Sequence, residues 1–121
     1  MVHEQQPQLN ISTRGKVRVV EFEDRKILDD FVINQIGTQL TDLVNENPEP
    51  WIVLDFKNVE HLSSAALGVL ITLDKQITEC QGKLALANIQ PQIFEVFKIT
   101  RLNKLFNIQN TTSAAVESLS S

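Results

Sequence analysis

The chain has 121 residues, room for one compact domain with a single core. Its apolar fraction of 42% and charged fraction of 21% are those of a folded globular protein, which argues against extended disorder. With 11 Lys and Arg against 15 Asp and Glu, the net charge of −4 argues against a nucleic-acid surface, and no apolar run approaches the ~20 residues that span a bilayer.

In chain order, Met1 to Gln8 is polar and lacks the apolar core of a signal peptide, so it is expected to be a flexible tail of a cytoplasmic protein. A single domain is expected over residues 9–119. Leu9 to Thr13 and Val17 to Phe22 flank Arg14-Gly15-Lys16, which predicts a hairpin. From Asp29 or Asp30 to Asn45, the apolar residues Val32, Ile36, Leu40, Leu43 and Val44 recur at helical spacing. The two aspartates stand where an N-cap and a first turn favour carboxylates. Asn47-Pro48-Glu49-Pro50 ends that helix, because proline does not fit a helix interior. Trp51 to Leu54 is an unbroken apolar run, the mark of a strand covered on both faces. Asp55 to Leu62 is expected to be a polar loop.

Ser64 to about Cys80 is the second predicted helix. Its first half, Ala65 to Ile71, is apolar almost all round and is therefore expected to be deeply packed. Cys80 is the lone cysteine, so an intramolecular disulfide and a cysteine-rich zinc site are excluded and a reducing compartment fits. Gln81-Gly82 closes the helix. Lys83 to Asn88 is a strand, and Pro91 opens a helix to about Thr100 that turns Phe94 and Phe97 to the core. Lys98, Arg101 and Lys104 form a basic cluster that reads as a solvated helix end. Leu105 to Ile108 is the last strand, and Ala114 to Leu119 a short terminal helix with Ser113 as its N-cap. Strands alternating with helices require crossover connections, so the fold class is α/β. A small sandwich is predicted, with a mixed, mainly parallel sheet of about five strands and about four helices.

Catalytic constellations are sparse. The two histidines are His3 in the tail and His61 in the loop before the second helix, and no further ligands stand at metal-site spacing. His61 and Ser64 lie three residues apart, but no aspartate is placed to orient the imidazole and no Gly-x-Ser-x-Gly elbow is present. Four glycines form neither a P-loop nor a Gly-x-Gly-x-x-Gly turn, so no cofactor, no metal and no enzyme activity are expected. The informative stretch runs from Val53 to Leu70: a buried strand, a polar loop, Ser63-Ser64, then an apolar helix. A serine there caps the helix by accepting a bond from a free amide. A phosphate on the same hydroxyl would carry about −1.5 to −2 charges and meet the positive end of the helix, changing the face a partner sees while sparing the fold.

This stretch resembles the STAS domains of bacterial anti-sigma factor antagonists. Those domains carry a strand ending in Asp or Asn-Leu, a short loop, then Asp-Ser-Ser/Thr-Gly-Leu-Gly entering the second helix. Here the residues are Leu54-Asp55 and then Ser63-Ser64-Ala65-Ala66-Leu67-Gly68. Ser63 replaces the usual aspartate, and Ala65 and Ala66 replace the second hydroxyl residue and the glycine. The resemblance covers about Leu9 to Leu119, including the helix from Pro91 through Phe97 and the segment Leu102 to Phe106. It implies a phosphorylation-switched binding module for signal transduction by partner switching. The unphosphorylated protein would bind an anti-sigma factor that is also a serine kinase of histidine-kinase-like ATPase fold, freeing a sigma factor. A PP2C-type phosphatase would restore the serine. The position carried over is Ser64, with Ser63 as the alternative acceptor. Partner contacts are expected around Ser64 from Ser63, Ala65, Ala66 and Leu67 and from the Glu23 to Asp30 loop, with Ile27, Asp29 and Asp30 named in it, and no membrane insertion is expected. The alternative is a non-phosphorylated STAS scaffold in a stressosome-like or transport-associated assembly.

Overall fold

The structure, a computed structural model, describes residues 9–120. The expected tail, Met1 to Gln8, lies outside the described residues. β1 (Leu9–Arg14) and β2 (Val17–Phe22) pair antiparallel from Leu9↔Phe22 to Arg14↔Val17, so the turn is only Gly15 and Lys16 and Arg14 belongs to the strand. Gly15 has φ +61°, which a two-residue hairpin turn requires and glycine adopts without a Cβ clash. β3 (Lys26–Ile27) follows, then α1 (Asp30–Asn45), β4 (Trp51–Asp55), β5 (His61–Leu62), α2 (Ser64–Glu79), β6 (Lys83–Ala87), α3 (Pro91–Ile99), a 3₁₀ turn at Leu102–Lys104, β7 (Asn107–Gln109) and α4 (Thr112–Ser120).

Five strands make one sheet in the order β1-β2-β4-β6-β7, with β2, β4, β6 and β7 parallel, as the alternation predicts. Side chains alternate across the strands, which gives the sheet two cores. On one face Val20, Phe22, Ile52, Leu54, Leu84 and Leu86 meet the buried stripes of α1, α2 and α3. On the other, Val17, Val19, Val53, Ala85 and Ala87 meet Ala115 and Leu119 of α4. The unbroken run in β4 follows from this: Ile52 and Leu54 serve one core and Val53 the other. Alanines at 85 and 87 leave room for the short helix α4 to lie close on β6.

Local physics moved several boundaries. Asp55 extends β4, and His61–Leu62 leave the expected loop to pair in parallel with Lys26–Ile27, a two-residue ladder too short for periodicity to register. In α1 the buried stripe begins at Ile33, and Val32 is only half-buried. In α3 the core residues are Ile93 and Phe97, one helical turn apart; Phe94 is half-buried, with the Lys98 ammonium 5.9 Å from its ring centre. The last strand starts later, at Asn107, because the 3₁₀ turn takes the chain through Phe106, which is buried. α4 starts earlier: the Ala114 amide donates to Thr111 Oγ1 at 3.0 Å, so Thr111 caps it, and Ser113 Oγ instead accepts from Arg14 Nη1 at 3.4 Å. At the end of α2 the left-handed residue is Gln81, at φ +60°, and not Gly82. Gly82 is required for another reason: a Cβ there would overlap the Pro50 carbonyl oxygen, to which the Lys83 amide donates at 2.8 Å. The first half of α2 buries Ala66, Leu67 and Leu70 but exposes Ala65, Gly68 and Ile71, so it is packed on one side only.

Candidate functional site

The parallel strands end together in the row Glu21, Asp55, Ala87, Gln109, and the loop leading to the two serines leaves the sheet there. Asp55 is 3% exposed, the one buried charged residue among the described ones. Its Oδ1 accepts from the Lys57 amide and from Asn88 Nδ2, both at 3.0 Å, and its Oδ2 accepts from Thr112 Oγ1 at 3.3 Å. The Lys57 ammonium lies 3.6 Å from Oδ2 and 2.8 Å from Glu21 Oε2. Its hydrogen bond to Glu21, then the charge of Asp55, raise the Lys57 pKa above the ordinary lysine value. Every lone pair that matters on the buried carboxylate thus has a partner, the condition for tolerating it there.

Other groups brace the loop beyond Asp55. Phe56 is buried, its ring centre 5.0 Å from that of Phe22, and its amide donates to Ala87. Asn58 Nδ2 donates to the Phe22 carbonyl at 3.2 Å and Gln90 Nε2 to the Lys57 carbonyl at 2.8 Å. The amides of Glu60 and His61 both donate to the Arg25 carbonyl, and the Arg25 and Glu60 side chains form an ion pair at 3.1 Å. The Ser63 amide then donates to the Ile27 carbonyl at 3.1 Å. Neighbouring loops therefore hold the entry to α2 on three sides.

The two serines divide the work. Ser63 is the N-cap, extended at φ −82° and ψ 166°, and its Oγ accepts from the Ala66 amide at 3.2 Å. Its carbonyl accepts from Leu67 at 3.1 Å. Ser64 is the first helical residue and exposed; its hydroxyl has no hydrogen-bond partner among the described residues, nor do the amides of Ser64 and Ala65. The capping hydroxyl and the free hydroxyl are thus different residues, a distinction the bare Ser-Ser pair does not make.

Of the expected contact residues, Ser63, Ala65, Asp29 and Asp30 come together at the surface of this end. Asp29 is the N-cap of α1, its Oδ1 accepting from the Val32 amide at 3.1 Å, and Asp30 is exposed in the first turn. Ile27, Ala66 and Leu67 lie beneath them and are buried, so their side chains form the floor and present little to a partner. Leu28, 51% exposed, lies in the loop from which contacts were expected; sequence reasoning missed Phe31, exposed at 54%, and the exposed Ile71. Phe31 was legible as an apolar residue off the buried stripe of α1. Between α1 and α2 runs a shallow groove bordered by Gly37, Thr38, Ala65, Gly68 and Thr72. His61 is exposed, and among the described residues no hydrogen bond joins it to Ser64.

The STAS domain family model matches residues 9–115. The chain belongs to the STAS domain family. A candidate anti-sigma factor antagonist of Bordetella bronchiseptica, BtrV, is 33% identical over 81 residues, covering 67% of this chain and 69% of that protein. Among solved structures, an anti-sigma-factor antagonist (STAS) domain protein from Planctomyces limnophilus superposes with a TM-score of 0.83 at 20% identity, covering 97% of this chain and 99% of that one. The Bacillus cell fate determinant SpoIIAA in its phosphorylated form superposes with a TM-score of 0.69 at 20% identity, covering 93% and 97%. Within this STAS domain the change at position 63 has a structural explanation. Aspartate and serine are equally good N-caps, so Ser63 keeps the cap while removing a charge beside Ser64. Among the described residues no helix is long and apolar enough to cross a membrane.

Proposed function

We propose that this STAS domain is a cytoplasmic anti-sigma factor antagonist, a binding module and not a catalyst, switched by phosphorylation of Ser64. In the unphosphorylated state it engages an anti-sigma factor that is also a serine kinase, of histidine-kinase-like ATPase fold, and so frees a sigma factor. A PP2C-type phosphatase reverses the modification. The observation that carries this reading is the free, exposed hydroxyl of Ser64 at the first position of α2, beside a serine that has taken over the cap. A phosphoryl group on Ser64 meets the unpartnered amides of Ser64 and Ala65 and the positive end of α2, so the fold accommodates it. The same group places about −1.5 to −2 charges beside Ala65, Leu28 and Phe31, where an apolar partner surface would have to be desolvated against it. Ser63 is the weaker acceptor because its oxygen is committed to Ala66. The relatives named as anti-sigma factor antagonists, and a STAS neighbour solved in a phosphorylated form, support the assignment.

The test is incubation with the cognate kinase and ATP, followed by mass spectrometry of the wild type and of Ser64→Ala. Phosphate mapped to Ser64 and absent from the variant is the expected result. No incorporation with a kinase active on its own substrate refutes the switch. The missing acid at position 63 favours the second reading, a non-phosphorylated scaffold in a stressosome-like or transport-associated assembly, in that event.

A further inference from the structure

Two surface clusters lie outside the cores and have opposite charge. The first is the end of α3 and the turn after it. Ile99 is 80% exposed, more than any other large apolar residue among the described ones, and Leu105 is 49% exposed. Lys98, Arg101 and Lys104 share this eight-residue stretch, which holds no acidic residue. Lys98 pairs with Glu95, but Arg101 and Lys104 have no ion pair among the described residues. Arg101 has φ +63°, a helix-ending conformation that glycine or asparagine usually fills; a long cation there costs about 1 kcal/mol. The second cluster is Leu28 and Phe31, set among Glu23, Asp24, Asp29 and Asp30. Of the two cations in that stretch, Arg25 is already paired with Glu60; Lys26 is exposed and has no ion pair among the described residues, so four carboxylates against one free ammonium leave the surface acidic on balance.

The topology sets the clusters at opposite corners. Residues 23–31 leave the sheet after β2, at the end marked by Glu21 and Asp55 and on the β1 side. α3 starts from that same end but beyond β6, and its nine residues run about 13 Å back. Residues 98–105 therefore lie toward the opposite end, beside the β7 edge. Within one molecule the clusters cannot meet; between two they can.

We propose that the basic-apolar surface at Ile99, Arg101 and Lys104 docks on the acidic-apolar surface at Leu28, Asp30 and Phe31 of a second copy, joining molecules head to tail. Each surface offers two exposed apolar side chains among charges predominantly of one sign, which is the complementarity that fixes a register and rejects like surfaces. Because the two surfaces differ, the contact is heterologous and leaves a free surface at each end, so association continues beyond a dimer. An anionic membrane is the poorer occupant for the basic cluster: Ile93 and Phe97 point α3 into the core, so only its end could reach a bilayer and not an amphipathic face.

Sedimentation velocity on the protein alone, from about 10 to 500 μM, tests this independently of the partner reading. The expected result is a mean mass that rises above the monomer with concentration at about 0.05 M salt and returns toward it at about 0.5 M. Arg101→Gly relieves the left-handed strain and so keeps the fold, yet should associate about tenfold more weakly. The double variants Arg101→Glu/Lys104→Glu and Asp24→Lys/Asp30→Lys should each be monomeric. Mixed, they should associate again, because the basic surface of one and the acidic surface of the other are intact. A wild type that stays monomeric, association indifferent to Arg101→Gly, or folded variants that fail to complement on mixing each overturn the proposal. Arg101-dependent binding to phosphatidylserine vesicles without self-association would overturn it in favour of a membrane.

Discussion

The division between Ser63 and Ser64 makes a prediction that separates folding from signalling. Ser63→Ala removes the oxygen that accepts from the Ala66 amide and leaves that amide without its cap. Losing such a cap costs about 1 kcal/mol, which for a domain of this size lowers Tm by about 4 °C. Ser64→Ala removes a hydroxyl that has no partner and puts a better helix former at the first helical position, so its stability change should stay within about 0.5 kcal/mol. Urea unfolding followed by far-ultraviolet circular dichroism measures both, the free energies being compared at equal slope. The kinase assay should give the reverse order: Ser64→Ala loses phosphorylation, and Ser63→Ala keeps it at a rate reduced only as far as the fraying helix start disturbs the acceptor. If Ser64→Ala destabilises the domain as much as Ser63→Ala, the assignment of cap and switch to different residues is wrong. A neutral Ser63→Ala would be equally damaging, since it would mean the cap bond contributes nothing.

The other predictions concern the scaffold and the charge at the site. Ser64→Asp should leave Tm unchanged or slightly raised, because a carboxylate at the first position of α2 suits the helix dipole, while anti-sigma factor binding measured by calorimetry weakens at least tenfold; a large fall in Tm would mark Ser64 as a structural residue. Asp55→Ala strips the acceptor from Asn88, Thr112 and the Lys57 amide and should cost about 3 kcal/mol, whereas Asp55→Asn keeps one acceptor oxygen and should cost about 1 kcal/mol; equal losses in denaturant titrations would show that the network contributes little. Gly82→Ala should cost about 3 kcal/mol, because the new methyl meets the Pro50 carbonyl, a backbone atom that cannot swing aside; a variant with wild-type Tm would contradict the close approach. Burial raises the Asp74 pKa above its ordinary 3.8, so the folded chain holds that proton to higher pH than the unfolded chain. Its contribution to stability is complete below pH 3.8 and declines as pH rises through the raised value. Asp74→Asn should therefore melt above the wild type at about pH 7 and lose that advantage at about pH 3; a variant that melts lower at neutral pH refutes the burial argument.

The layout of the fold was legible because its signals are long. Sixteen-residue α1 and α2 show their stripes through several turns, and β4 shows the unbroken run of a strand with two cores. What escaped was shorter than a period or set by contacts distant in sequence. The β3–β5 ladder is two residues per strand, and Gly82 is explained by Pro50, not by the turn it sits in. α2 looked apolar all round because alanine and glycine at 65 and 68 count as apolar by composition, yet being small they are cheap to leave exposed and open the groove beside α1. At the site, composition located both serines, and family resemblance singled out Ser64. Which hydroxyl is bound required the dihedral angles of residue 63.

The arrangement also bears on how the switch proposed at Ser64 could sit on a structural element without endangering it. A hydroxyl used as a cap cannot be modified without touching the bond that starts the helix, and a hydroxyl in a loop can be modified freely but presents its charge from no fixed place. Ser64 avoids both problems by standing one residue inside a helix whose start is held by its neighbour. The loop before it is fixed through Asp55, Asn58, Gln90 and the Arg25 carbonyl, and none of those bonds involves the Ser64 side chain. The proposed modification would therefore alter the charge at a rigid point in space while the groups that hold that point remain undisturbed. Set against the aspartate that the family resemblance implies at this position, Ser63 changes this balance in one respect only. The capping bond survives, but the resting surface around Ser64 is one charge less negative, so a phosphoryl group there makes a larger proportional change in local potential than it would beside a carboxylate.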